Sequence, residues 1–218
     1  LIIGICNGFQ TLTRLGMLPA LDGDYFNQTV ALAHNDCGTF RDDWCRLKAN
    51  PASPCVFTRN MDTVRLPLRH GEGKFVADDK LIAELEAKHL VAVKYANPDG
   101  SIATEFPALP NGSLNSIAGI CDPTGRVFGL MPHPEAFLSP FNAPDWTARK
   151  ACGEELPAEG DGVAFFRNAV DYIASEEGLH FLEINTIPGM TSASLVPQMV
   201  RAAGLSMTDF LTTVIENS

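Results

Sequence analysis

The sequence predicts an α/β protein, and three stretches carry that reading. Residues 1–16 begin with an apolar run, turn at Gly4 and Gly8, and continue with helical spacing to Gly16, which makes a strand, a tight turn and a helix. Residues 117–121 and 127–130 are two short apolar runs around Asp122-Pro123-Thr124-Gly125, a hairpin pattern. Residues 162–175 place Val163, Phe166, Val170 and Ile173 at helical spacing, so that this face is expected to pack on the core.

The remaining elements follow in order. Residues 1–5 are expected to be a buried strand, followed by a helix of about ten residues. Between residues 30 and 69, strand-like stretches at 55–58 and 63–68 are broken by polar and Pro-containing segments. HGEGKF (residues 70–75) reads as a Gly-rich loop, residues 80–89 as a helix and residues 90–95 as a strand. Asn97-Pro98-Asp99-Gly100 is a strong turn signal. MPHPE (residues 131–135) leaves the second hairpin strand directly, and residues 140–161, rich in Pro, Gly and charge, read as a long surface excursion. After Glu176-Glu177-Gly178 the character changes. Residues 179–184 are expected to be a fresh strand, residues 194–203 a helix closed by Gly204, and Ser206 with Asp209 a capping box for a last amphipathic helix.

Composition narrows the classes of function. The 218 residues carry 26 acidic and 16 basic side chains, a net charge of -10, with no Lys/Arg cluster of the kind that phosphate backbones require, so nucleic acid is not expected as a partner. No apolar stretch approaches the roughly 20 residues that span a bilayer, and no basic signal segment opens the chain, so no membrane partner is expected and the location is read as cytoplasmic. Residue 1 is Leu rather than Met, which leaves open that the chain is a fragment. The six cysteines form no C-x-x-C pair and no zinc-like spacing with the five histidines, so neither a disulfide framework nor a structural metal is expected.

Chemistry concentrates at Cys6. Gly4-Ile5-Cys6-Asn7-Gly8 has the form G-x-C-x-G, the thiol version of a nucleophile elbow, in which small neighbours let the backbone pack closely behind a strained turn. The helix that follows points its N-terminal N–H groups at the sulfur, an arrangement that favours an anion there. The N–H of Asn7 would be one donor of an oxyanion hole. A nucleophile of this kind needs a base and a group to orient it, and His133 and Glu135, two residues apart at the exit of a strand, offer both. Taken singly, Cys6 reads as a buried structural thiol and His133 as a core or surface histidine; their joint presence with Glu135 favours catalysis.

GICNGFQ (4–10), HGEGKF (70–75), PNGSLNSIAGICDPTGRVFGLMPHPE (110–135) and GDGVAFFRNAV (160–170) together resemble the class I glutamine amidotransferases. Among these they are most similar to the glutaminase subunits of phosphoribosylformylglycinamidine synthase, in purine biosynthesis. The resemblance covers residues 1–175. It implies a flavodoxin-like sheet flanked by helices, with Cys6 attacking the side-chain amide of glutamine through a glutamyl thioester, His133 relaying protons and Glu135 orienting His133. Asn7, Gly8, Gln10 and His70 would bind substrate, Gln10 by holding the glutamine or the acyl intermediate. The HGEGKF segment would lie near the substrate or the partner face, the alternative being a surface turn. The ammonia would pass to a synthetase partner carrying ATP and magnesium, with no cofactor or metal in the amidotransferase domain itself. Ala136 stands where many relatives place Arg. Family members also carry a longer segment ahead of the elbow, including the first strands of the sheet and a second oxyanion donor, so the resemblance implies an N-terminally truncated domain.

The segment FLEINTIPGMTSASLVPQMVRAAGLS (181–206) instead resembles the C-terminal end of D-alanine–D-alanine ligases of the ATP-grasp fold. The division expected is therefore residues 1–177, a partial amidotransferase domain, and residues 178–218, a short ligase-like tail. In the ligase family Glu183 and Asn185 would be magnesium ligands, on one face of a strand by their i, i+2 spacing. The loop 189–194 and Leu195 would line the D-alanine site. The ATP-binding lysines and glycine-rich loop of that family have no counterpart in this sequence, so ATP-dependent dipeptide formation is not expected. The alternatives to a glutaminase are thus a fragment of such a ligase, told apart by ATP-dependent dipeptide formation, and an inert or purely interacting relic, the reading that holds if His133 lies far from Cys6.

Overall fold

The structure is a computed structural model that describes residues 1–175 and 183–184. A seven-stranded mixed sheet has the order β4-β3-β6-β7-β8-β1-β9. Its strands are β1 (Ile2–Ile5), β3 (Arg41–Ala49), β4 (Thr63–His70), β6 (Val91–Ala96), β7 (Ile117–Cys121), β8 (Val127–Leu130) and β9 (Glu183–Ile184). A second, two-stranded antiparallel sheet pairs β2 (Ala31–His34) with β5 (Glu72–Val76). The helices are α1 (Asn7–Arg14), α2 (Asp79–Ala87), α3 (Trp146–Ala151) and α4 (Val163–Ser175).

The strand-to-helix unit at the start of the chain has a steric basis. β1 runs parallel to β8, with Ile2 opposite Val127 and Ile5 opposite Leu130, and α1 begins two residues later. A Cβ on Gly4 would lie 2.7 Å from the carbonyl carbon and oxygen of Gly8, so the helix can fold back against the strand only with hydrogen at this position. The buried face of α1, Phe9, Leu12 and Thr13, then packs on the sheet. The predicted hairpin is present as β7 and β8, with Gly119 opposite Leu130 and Gly125 N–H donating to Asp122 O at 3.0 Å. On the other side of β1, Ile2 and Ile3 pair in parallel with Glu183 and Ile184, so this short part of the expected 179–184 strand joins the first sheet. That pairing satisfies backbone groups that an open edge would leave bare. Asn185, the loop 189–194, Leu195 and the two helices expected after residue 193 lie outside the described residues.

Three sequence expectations change. HGEGKF is not a loop: His70 ends β4 and residues 72–76 form β5, so the motif is the crossing point between the two sheets, with only Gly71 between strands. Residues 55–58 are not a strand; Val56–Thr58 is a single 3₁₀ turn buried beneath α4. The helix α4 is where expected, but its buried residues are Phe165 and Ala169, while Val170 is exposed. The aromatic stack explains the rotation: Phe128 sits between Phe57 (5.7 Å) and Phe165 (6.3 Å), and burying that column outweighs the one-residue offset of the sequence pattern. The surface excursion at 140–161 contains α3 and is tied back to the sheet by Arg65, which bonds Asp145 and Asp161.

Candidate active site

Cys6 stands where the strand becomes a helix. Its N–H continues the β1–β8 ladder to Leu130 O at 2.7 Å, and its carbonyl accepts the first helical bond from Gln10 N–H at 3.1 Å. Meeting both demands forces φ 52°, ψ -103° on a residue with a side chain, a conformation that only a tightly held turn sustains. The half-buried sulfur lies 3.7 Å from Arg69 O. The first N–H groups of α1, beginning at Asn7 and Gly8, have no intrahelical acceptors and lie at this turn.

His133 arrives from the neighbouring strand. β8 ends at Leu130, and His133 N–H then donates to Pro67 O of β4 at 2.8 Å, which fixes the exit path across the top of the sheet. A 3₁₀ turn at Pro134–Ala136 brings Glu135 back so that His133 Nδ1 donates to Glu135 Oε1 at 2.5 Å. Nδ1 is therefore occupied, which leaves Nε2 as the ring nitrogen open to another partner. His133 Nε2 and Glu135 Oε2 are buried and make no hydrogen bond among the described residues, while Cys6 Sγ and His133 N–H reach β4 at carbonyls two residues apart, Arg69 O at 3.7 Å and Pro67 O at 2.8 Å. Loose geometry of this kind is common before substrate binds. Burial of His133 disfavours its charge, but contact with Cys6 and with Glu135 outweighs burial and raises its pKa to about 9. The imidazole is a cation at neutral pH, the form that can hand a proton to a leaving amine.

The substrate-binding candidates are also at this end of the sheet. Gln10, 7% exposed, donates from Nε2 to Glu72 O at 2.7 Å, tying the elbow helix to the HGEGKF segment. His70 is buried, with Nδ1 3.1 Å from Asn35 Oδ1; burial and the charge of nearby His133 push its pKa down to about 3. Sequence reasoning missed the residues that hold this segment from outside. Asn111 Nδ2 donates to Gly73 O at 2.8 Å, and Ser113 Oγ accepts from Phe75 N–H at 3.0 Å, so the PNGS motif grips the HGEGKF motif. The co-occurrence of the two motifs was the available signal. Asn35 and the Arg69 carbonyl left none, because their roles depend on tertiary approach.

The nucleophile elbow, the strand-exit His-x-Glu and the sheet that joins them place the chain in a class, and comparison with known families bears this out. Residues 1–173 match the CobB/CobQ-like glutamine amidotransferase domain, and the chain belongs to that family. It is 44% identical over 172 residues to the phosphoribosylformylglycinamidine synthase subunit PurQ of Dehalococcoides mccartyi, covering 79% of this chain and 63% of the relative. It is 39% identical over 178 residues to the subunit of the same name from Methanococcus maripaludis strain S2, covering 79% and 65%. The chain thus spans somewhat under two thirds of the length of these curated relatives. Among solved structures, the PurLQS structure from Thermotoga maritima matches with a TM-score of 0.50 and 29% identity, covering 79% of this chain and 62% of that one. Residues 164–216 match the D-ala D-ala ligase C-terminus, in agreement with the resemblance of the tail. No helix among the described residues is long and apolar enough to cross a membrane.

Proposed function

We propose that this chain is a glutaminase that supplies ammonia to phosphoribosylformylglycinamidine synthase in purine biosynthesis. The observation that carries the reading is the strained Cys6 beside a His133 cation that Glu135 holds at 2.5 Å. The Cys6 sulfur, as thiolate, attacks the side-chain carbonyl of glutamine, and the developing oxyanion is met by N–H groups at the start of α1, Asn7 first. His133 gives its proton to the departing nitrogen, so that the C–N bond breaks, ammonia leaves and a glutamyl thioester remains on Cys6. Water, deprotonated by the now neutral imidazole, hydrolyses the thioester to glutamate and restores the thiolate–imidazolium pair. Glu135 keeps the ring in one tautomer and orientation throughout. Gly8 permits the close turn, and Gln10 and His70 border the place where glutamine binds.

The ammonia goes to a synthetase subunit, which carries ATP and magnesium; the relatives named as synthase subunits and the PurLQS assembly support this partner. The division at residues 177 and 178 and the cytoplasmic location belong to the same proposal. Glutamate release from glutamine by the full chain, with the synthetase subunit present, is the test. Cys6→Ala is expected to abolish it, and a glutamine-like electrophile is expected to label Cys6. Labelling spread over the exposed Cys37 and Cys152 instead would refute the assignment.

A further inference from the structure

Asn35 is 3% exposed and stands just after β2, at the point where the two sheets meet. Its Nδ2 donates to the carbonyls of His70 (2.8 Å) and Thr39 (3.1 Å), and its Oδ1 accepts from Gly73 N–H (3.1 Å) while facing His70 Nδ1 at 3.1 Å. Carbonyls only accept and a backbone N–H only donates, so the two ends of this carboxamide cannot be exchanged. Because Oδ1 must then be the acceptor toward His70 as well, the proton in that contact sits on Nδ1. A neutral imidazole has a single N–H, so His70 Nε2 is a bare lone pair.

That lone pair has an unusual situation. His70 is 3% exposed, and its Nε2 has no hydrogen-bond partner among the described residues. The ring is held in place: a Cβ on Gly73 would lie 2.3 to 2.7 Å from three of its atoms, so backbone closes one face of the imidazole. The preceding residue, Arg69, offers its carbonyl to Cys6 at 3.7 Å, and His133 N–H donates to Pro67 O at 2.8 Å, so the strand that His70 ends meets both Cys6 and His133 within three residues of His70. A buried acceptor without a donor is costly and calls for a ligand that supplies one.

We propose that Asn35 is a positioning residue: its carboxamide holds His70 with the proton on Nδ1, so that the bare Nε2 accepts an N–H of a carboxamide substrate. The inference rests on the glutaminase reading and extends it to selectivity. A carboxamide brings an N–H to this acceptor, whereas a carboxylate sets lone pair against lone pair. The arrangement therefore favours glutamine over the glutamate product.

The test uses the full chain with ¹⁵N-labelled histidine, the His70 signals being assigned by their loss in His70→Gln. The free protein at neutral pH is expected to show His70 protonated on Nδ1 and bare on Nε2; a proton on Nε2 overturns the proposal. Asn35→Asp keeps an acceptor for Nδ1 but loses both donors, and is expected to raise KM for glutamine about tenfold while leaving kcat close to that of the parent. Unchanged KM and unchanged His70 signals in a folded Asn35→Asp chain also overturn it. Should that variant not fold, the tautomer in the parent chain decides alone. Should the parent chain release no glutamate and Cys6 resist labelling, the glutaminase reading fails, while the nitrogen spectrum still decides the Asn35–His70 assignment.

Discussion

His133 carries a proton at neutral pH because two neighbours outweigh its burial, and each can be removed separately. Cys6→Ala takes away one of them, so the imidazole is expected to titrate below 9; NMR titration of the ring protons measures this, and an unchanged value would show that the sulfur does not interact with the ring. Glu135→Gln removes the anion but keeps the size. It is expected to lower kcat for glutamate release by about 10²-fold or more, since an amide can hold the ring in the wrong tautomer. A loss confined to KM would mean that Glu135 binds substrate rather than orienting His133. At this scale the strained turn at Cys6 and the His133–Glu135 pair were legible because both are local: G-x-C-x-G encodes the turn and H-x-E the pair. Asn35 was not legible, since its partners lie at His70 and Gly73 and only the meeting of two sheets brings them to it.

Among the elements, the segment from His133 to α4 depends on how it is fastened to β4. Asp161 Oδ2 accepts from the backbone N–H of Arg65 at 2.7 Å, the Arg65 guanidinium bonds both carboxylate oxygens of Asp145 at 3.0 Å, and the same guanidinium stacks over Trp44 at 4.9 Å. Trp44 in turn meets Phe137 edge-on at 5.0 Å, two residues beyond Glu135. A stretch that reads in the sequence as a loose excursion is therefore anchored at both ends to the strand that also receives His133. Asp161→Ala leaves the Arg65 N–H without its acceptor and is expected to cost about 1–2 kcal/mol of stability by chemical denaturation. A change within ±0.5 kcal/mol would mean that water replaces the carboxylate. Strands β1, β7 and β8 and helices α1, α2 and α4 were readable from local pattern, whereas β5, α3, the 3₁₀ turn at Val56–Thr58 and the buried face of α4 were not, because long-range contacts decide them. Periodicity locates a helix, but the stack of Phe57, Phe128 and Phe165 selects which side turns inward.

For the whole molecule, His70 couples folding to pH against the trend set by the net charge. With 26 acidic and 16 basic residues, mild acidification lowers the net charge of -10 and eases self-repulsion, which favours the compact state. His70 acts in the opposite sense. Its folded-state pKa is pushed down to about 3, first by burial and then by the charge of His133, whereas an unfolded histidine titrates near 6.5. Above pH 6.5 neither state binds the proton, and the stability is intact. Between about pH 6 and pH 4 the unfolded chain binds one proton that the folded chain refuses, so stability falls as pH falls, by about 1.4 kcal/mol per pH unit from this residue. Asp99, Asp145 and Glu154, whose pKa values are lowered from the ordinary carboxylate range, release stability only at lower pH and are exposed enough to be screened. His133, whose folded-state pKa is raised to about 9, acts in the opposite sense to His70: its stabilisation grows as pH falls from 9 to about 6.5 and is nearly complete below pH 6, so His70 dominates not the step from pH 7 to pH 6 but the window from pH 6 to pH 5. Denaturant unfolding at pH 7, 6 and 5 is expected to show the parent chain losing stability across that window. His70→Gln, which cannot titrate, should start lower for want of the Asn35 contact yet show a flatter dependence. Parallel slopes in the two proteins would place the proton uptake elsewhere, and a parent chain that gains stability toward pH 5 would mean that relief of the negative charge outweighs the buried ring.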